Sequence, residues 1–215
     1  MSDAAGSAPR LRRQPRQARS RARVERLLEA ADQVLGSQGY EALTVRRLAA
    51  EAAVPIGTLY QFFPDKQAVV DALALRHLEA FAALVHDLVE QATRQRWEDP
   101  VQVLLDAFAG LYRDRPGYLA IWTGRHLSPQ IRRADEENNA LIADGVRRVL
   151  VAQLGLPDDD ELARACEVAV RVSDALLQYA FRGGPDADEA VLAELSRLQR
   201  LYLDDLVARH RPAPG

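Results

Sequence analysis

The stretch TVRRLAAEAAVPIGTLYQFF, running from Thr44 to Phe63, decides how the chain is read. The Thr44 hydroxyl can accept an orphan N–H of a first helical turn. Val45, Leu48 and Ala49 then recur at helical spacing and predict a short helix to Ala52. Ala53-Val54-Pro55 breaks it, and Pro55 suits the start of a second short helix over 56–62, which Pro64 stops. Two short helices across a tight turn form helix-turn-helix geometry, whose second helix enters a DNA major groove.

The residues of the second helix meet that requirement. Pro55, Ile56, Gly57, Thr58 and Gln61 take its N-terminal and outer positions. Gly57 permits close backbone approach, and apolar Pro55 or Ile56 can meet a thymine methyl. Thr44, Thr58 and Tyr60 offer hydroxyls to phosphate oxygens, and Arg46 joins them as a cation. Lys66 adds a charge where a helix N-terminus already favours an anion.

Upstream, Val24, Leu27, Leu28, Ala31, Val34 and Leu35 place one apolar stripe along a helix that Gly39 ends. Residues 1–21 are rich in Ser, Ala, Pro, Gln and Arg without apolar periodicity, and read as a disordered basic arm. Downstream, Asp65 caps a long helix from Lys66 to about Arg94. Further helices are expected near 100–114, 117–126, 129–154, 159–182 and 188–208, each break carrying Pro, Gly or both. No segment alternates with period two beside hairpin turn residues. The expected fold is all-α with about nine helices: a three-helix N-terminal unit over 22–66 and a larger bundle over 67–215.

Gly39-Tyr40, Thr44-Val45, Leu48-Ala49, Gly57-Thr58-Leu59-Tyr60, Phe63 and Lys66 together resemble the DNA-binding domain of the TetR family of bacterial transcriptional regulators. The resemblance covers about 24–72 and implies an all-α homodimer with a DNA-binding head and a ligand-binding, dimerising body. It implies phosphate contacts from Thr44, Tyr60 and Lys66, with Ile56, Gly57, Thr58 and Gln61 nearest the bases. The sequence departs from the family pattern twice: Ala53 stands where the turn usually has glycine, and Pro55 where serine usually caps the second helix. The expected function is a repressor that a small-molecule ligand releases from a palindromic operator on double-stranded DNA. The alternative is a helical small-molecule-binding or sequestering protein with a degenerate head.

Two long apolar stripes mark a candidate dimer surface. Leu162, Ala169, Val172, Leu176 and Tyr179 lie along one late helix, and Val191, Leu195, Leu198 and Tyr202 along the last. Val168, Leu177, Leu192 and Leu201 widen these faces, and two such helices per subunit could form a four-helix interface. Phe81, Phe108, Tyr112, Tyr118, Trp122, His126, Asn138 and Tyr179 are candidate ligand-binding residues, because bundle pockets are mostly apolar with a few polar groups. The run from Pro116 to Trp122 is the first choice of pocket wall; plain core is the competing reading.

The 215 residues are about half apolar, an ordinary globular composition. No uncharged run exceeds 13 residues and no apolar segment follows the N-terminal arginines, so neither a membrane span nor a signal peptide is expected, and the cytoplasm is the expected location. No metal or other cofactor is expected, nor enzymatic activity. The four histidines lack HExxH spacing, and no GxSxG or phosphate-binding loop occurs. The acids from Asp158 to Glu161 read as helix-start partners, and Cys166 as a packed side chain or a redox-sensing thiol. The net charge of −3 hides an asymmetry: residues 1–66 sum to +4 and 67–215 to −7. Within the head, residues 1–23 hold seven arginines and one acid, so the electrostatic attraction of DNA resides largely in the arm.

Overall fold

The punctuation of the sequence maps directly onto the architecture. In the computed structural model, which describes residues 18–123 and 127–210, the regular elements are nine helices: α1 (Ala18–Ala42), α2 (Val45–Glu51), α3 (Ile56–Phe62), α4 (Lys66–Arg94), α5 (Pro100–Asp114), α6 (Gly117–Thr123), α7 (Pro129–Leu154), α8 (Asp160–Ala180) and α9 (Glu189–His210). No strand occurs among the described residues, and no helix is long and apolar enough to cross a membrane.

The caps are those the residues dictate. Thr44 Oγ1 accepts from Arg47 N at 3.2 Å, Asp65 Oδ1 from Ala68 N at 2.8 Å, and Asp159 Oδ1 from Leu162 N at 2.9 Å. Gly39, at φ 75° and ψ −179°, interrupts α1 where the helix was expected to end. The last turn then closes through Leu43 N donating to Tyr40 O at 3.1 Å. Of the arm expected over 1–21, residues 1–17 lie outside the described residues. Ala18 to Arg21 are already helical, since Ala and Arg are good helix formers and no breaker separates them from the stripe that starts at Val24.

Two compact units emerge, and their boundary differs from the expected one after Lys66. The head comprises the chain to His77 together with Arg115–Arg132; the body comprises Leu78–Asp114 and the chain from Arg133 onward. The head thus takes the first turns of α4 and all of α6. Its core is formed by Leu27, Leu35, Leu48, Leu59, Phe63 and Leu73, with Ile121 and Ile131 joining from the later segment. Each such fully buried side chain contributes about 1.5–3 kcal/mol relative to exposure. A sequence reading could not place α6, because its burial depends on a partner some eighty residues earlier and on no local pattern.

Glycine sets how closely α6 approaches α1. A Cβ at Gly36 would collide with Pro116, and one at Gly117 would come within 2.6 Å of Asp32 Oδ1 and 2.8 Å of Asp32 O. In the body, a Cβ at Gly145 of α7 would collide with Val85 of α4. There α8 and α9 pack against each other, joined by the buried Gln199, whose Nε2 donates to Ala169 O at 3.1 Å and Ser173 Oγ at 3.0 Å.

Candidate nucleic-acid interface

The turn between α2 and α3 forms in spite of its alanine. Ala53 adopts φ 50°, the left-handed region that favours glycine. Two hydrogen bonds close the turn: Ala53 N donates to Ala50 O at 3.1 Å and Val54 N to Ala49 O at 2.9 Å. This is a Schellman closure, completed by the burial of Val54. Pro55 sits at the N-cap of α3, one place before the first helical position expected for it, and makes no side-chain cap bond. Its carbonyl instead accepts from Thr58 N at 2.8 Å and Leu59 N at 3.2 Å.

Burial then sorts α3 into two faces. Leu59 and Phe62 point into the head core. Ile56, Gly57, Tyr60 and Gln61 are exposed at positions i, i+1, i+4 and i+5, hence on one face, and Thr58 is half-buried beside them. Tyr60 is 43% exposed, so it is no core residue of the head. A Cβ at Gly57 would meet nothing within 4 Å. Thr44 and Arg46 are exposed at the start of α2, as is Pro55 at the turn. Eight of the nine candidate DNA-binding residues therefore line the accessible edge of one rigid motif, with Thr58 only partly covered.

Lys66 is the ninth, and it is already engaged. Its Nζ donates to Tyr40 O at 2.6 Å and lies 3.6 Å from the centroid of the Tyr40 ring. The Tyr40 hydroxyl donates to Gln67 Oε1 at 3.4 Å, and Gln67 Nε2 to Asp71 Oδ1 at 2.8 Å. Burial, then the neighbouring Glu41, Asp71 and Asp65 carboxylates, raise the Tyr40 phenol above its ordinary value. Arg47, outside the candidate set, donates to Gln38 Oε1 at 2.6 Å and pairs with Glu51 at 3.7 Å, fixing α2 against α1.

The head matches a family model described as bacterial regulatory proteins, tetR family, over residues 27–73. A second model, the tetracyclin repressor-like C-terminal domain, matches residues 95–207, more than half of the chain. This chain belongs to the TetR family. A TetR-family transcriptional regulator from Streptomyces coelicolor is 35% identical, with a TM-score of 0.63 over 86% of this chain and 98% of that one. A TetR-family regulator from Mesorhizobium loti, 16% identical, shares the fold at a TM-score of 0.69 over 89% of this chain and 98% of its own. An uncharacterized HTH-type transcriptional regulator of Bacillus subtilis, YvkB, is 40% identical over 53 residues, 25% of this chain and 28% of that relative's length.

Within this TetR-family chain, the candidate ligand residues are drawn from both units. Tyr118 and Trp122 belong to the head: their rings stack at 4.2 Å, and each meets the His77 ring edge-on, at 5.8 Å and 6.2 Å. The run from Pro116 to Trp122, the expected pocket wall, packs on α1 through Pro116 and Gly117, with Gly117, Tyr118 and Ile121 buried. Phe81, Phe108 and Tyr112 belong to the body. Phe81 stacks on Phe108 at 6.2 Å and meets Tyr112 edge-on at 6.0 Å, while Tyr112 stacks on Phe181 at 5.6 Å. The Tyr112 hydroxyl donates to Asp174 Oδ1 at 2.5 Å. Phe181 and Asp174 escaped the sequence reading. Tyr179 is 53% exposed on the outer face of α8, under the Arg182 guanidinium. Asn138 is half-buried on α7, and His126 lies outside the described residues.

The dimer candidates also divide. Leu162 and Leu195 are buried within the chain and leave the exposed set. Both lie on the side of α8 or α9 that faces the body core, a phase that apolar steps of three and four do not distinguish from the outer one. The outer face carries Val168, Tyr179, Leu198 and Leu201, all 44% exposed or more. Leu176 and Val191 line one surface groove with Tyr179, Leu198 and Leu201; Ala169, Val172 and Tyr202 line a second with Val168. The two grooves hold about 580 and 410 Å³.

Cys166 is buried, and burial pushes its thiol up to about 11. That environment fits the packed side chain rather than a redox sensor.

Proposed function

We propose that this TetR-family chain is a repressor that binds a palindromic DNA operator as a homodimer and leaves it when a small molecule binds the body. The observation that carries the reading is the exposed face of α3, where Ile56, Gly57, Tyr60 and Gln61 stand clear of the head core. An apolar side chain, an open backbone position and two hydrogen-bonding groups suit base edges and thymine methyls, with Thr44 and Arg46 placed for phosphates. The exposed apolar faces of α8 and α9 support self-association, since a monomer gains nothing by leaving Leu198 and Leu201 in water. A two-fold axis there demands an operator with matching half-sites. The body's aromatic set around Tyr112 supports an apolar or aromatic effector. Ala53 and Pro55 are the two features that favour a degenerate head; the hydrogen-bonded closure of the turn weakens the argument from Ala53, while Pro55 makes no side-chain cap bond.

In-vitro selection from random duplex DNA tests the reading. The full chain is expected to enrich a palindrome bound with a steep salt dependence. Recovery of unrelated sequences bound equally well would sink it.

A further inference from the structure

Asp32 of α1 and His77 of α4 are polar residues on the apolar stripes that build the head core. They stand four residues from Leu28 and Leu73, respectively. Both side chains are buried, His77 completely, and His77 Nε2 lies 3.0 Å from Asp32 Oδ1. Among the described residues, that contact with Asp32 is the one polar approach the imidazole makes, and its Nδ1 has no hydrogen-bond partner. Buried polar groups in this state cost free energy and are uncommon in folded proteins.

The pair also lies at the seat of α6. Asp32 fills the space over Gly117, and the Tyr118 and Trp122 rings wall the imidazole. The charged groups facing it are Asp32 from α1, Arg76 on its own helix and Arg115 just before α6. Arg76 is itself tied to α1, donating to Leu28 O at 3.4 Å and pairing with Glu25 at 3.6 Å.

We propose that the His77–Asp32 pair is a proton-sensitive latch that holds α6 on α1, so that acidification loosens the head and weakens its grip on DNA. The sign follows from linkage. Burial, opposed in part by Asp32, holds His77 below its ordinary value of 6.5 while the latch is closed, and the Arg76 and Arg115 cations act in the same direction as burial. An arrangement that lifts α6 and wets the imidazole restores ordinary basicity, so it binds protons more readily and gains population as pH falls. The same helix carries Leu27, Ala31 and Val34 into the head core that also holds Leu48 of α2 and Leu59 of α3, so the seat of α6 and the set of the reading helix are mechanically joined.

The DNA half of the test rests on the proposed function; the other half does not. The probe is a duplex selected from random DNA by the full chain at pH 7.5, and binding is read by anisotropy at constant ionic strength. Between pH 7.5 and 5.5 the wild type is expected to lose affinity by up to about tenfold per subunit, whereas His77→Gln, which does not titrate, holds its affinity. Without DNA, hydrogen exchange over residues 117–123, corrected for intrinsic rates, is expected to accelerate on acidification in the wild type only. Identical pH profiles for wild type and variant, or an α6 segment indifferent to pH, overturn the latch. Failure to select any duplex defeats the repressor reading and leaves exchange to judge the latch. Should His77→Gln not fold, the imidazole resonance of His77 in the wild type decides, and a midpoint at or above 6.5 overturns the proposal.

Discussion

Lys66 closes over Tyr40, its ammonium bonded to the Tyr40 carbonyl and resting on the face of the ring. The lysine expected to hold a phosphate is thus also the tie between the start of α4 and the end of α1. One ammonium has three N–H groups, and one is used on Tyr40, which leaves donors for an anion.

Replacing Lys66 by alanine therefore has two measurable effects. A charged hydrogen bond and a partly exposed cation–π contact together are worth about 1–2 kcal/mol, read as a lower melting temperature of the head. The salt slope of DNA binding is expected to fall by about 1, uniformly across sequences. Loss confined to one base pair would contradict the phosphate role.

Gly57→Ala separates folding from recognition. Space is open at that position, and alanine is the better helix former, so stability should rise by up to about 1 kcal/mol. DNA affinity should nevertheless fall, because the methyl occupies the gap between helix and bases. Undiminished affinity would show that α3 docks on another face.

At Ala53 the left-handed backbone predicts a modest gain on substitution by glycine. Relief of about 1–2 kcal/mol, reduced by glycine's larger unfolded-state entropy, leaves roughly 0.5–1 kcal/mol in chemical denaturation. Val at the same site should destabilise.

The inner and outer stripes of α8 and α9 predict opposite phenotypes. Leu198→Asp combined with Leu201→Asp is expected to give a folded monomer in sedimentation, its helical signal intact. Leu195→Ala, inside the core, is expected to cost about 2–5 kcal/mol of stability.

Cys166 predicts an alkaline instability. In the unfolded chain the thiol ionises near 9.0, whereas in the native state it holds its proton until about 11. Between those values the folded form binds more protons, so stability falls as pH rises through that window. Cys166→Ser should flatten that limb in urea titrations from pH 8 to 11.

Local rules made most of the helices legible. Thr44, Asp65 and Asp159 are capping side chains, Gly39 and Pro64 are breaks, and each announces itself within four residues of where it acts. The exposed face of α3 was legible for the same reason. The partners of α6 were not, because Gly36 and Pro116 meet only in space. His77 and Asp32 do carry a local signal, a polar residue in the register of an apolar stripe. Leu162 and Leu195 show the limit of stripes on helices apolar over a wide arc, where periodicity finds the helix without fixing its rotation.

The seating of Pro116 against Gly36 bears on any attempt to recombine regulators. The unit that would be exchanged is not a contiguous stretch of gene. A chimera carrying only the chain to His77 would leave Gly36, Asp32 and His77 uncovered, with a foreign segment obliged to fit a hollow shaped for one proline. A transplant that keeps its specificity has to move residues 115–132 along with the head, as two insertions into one recipient.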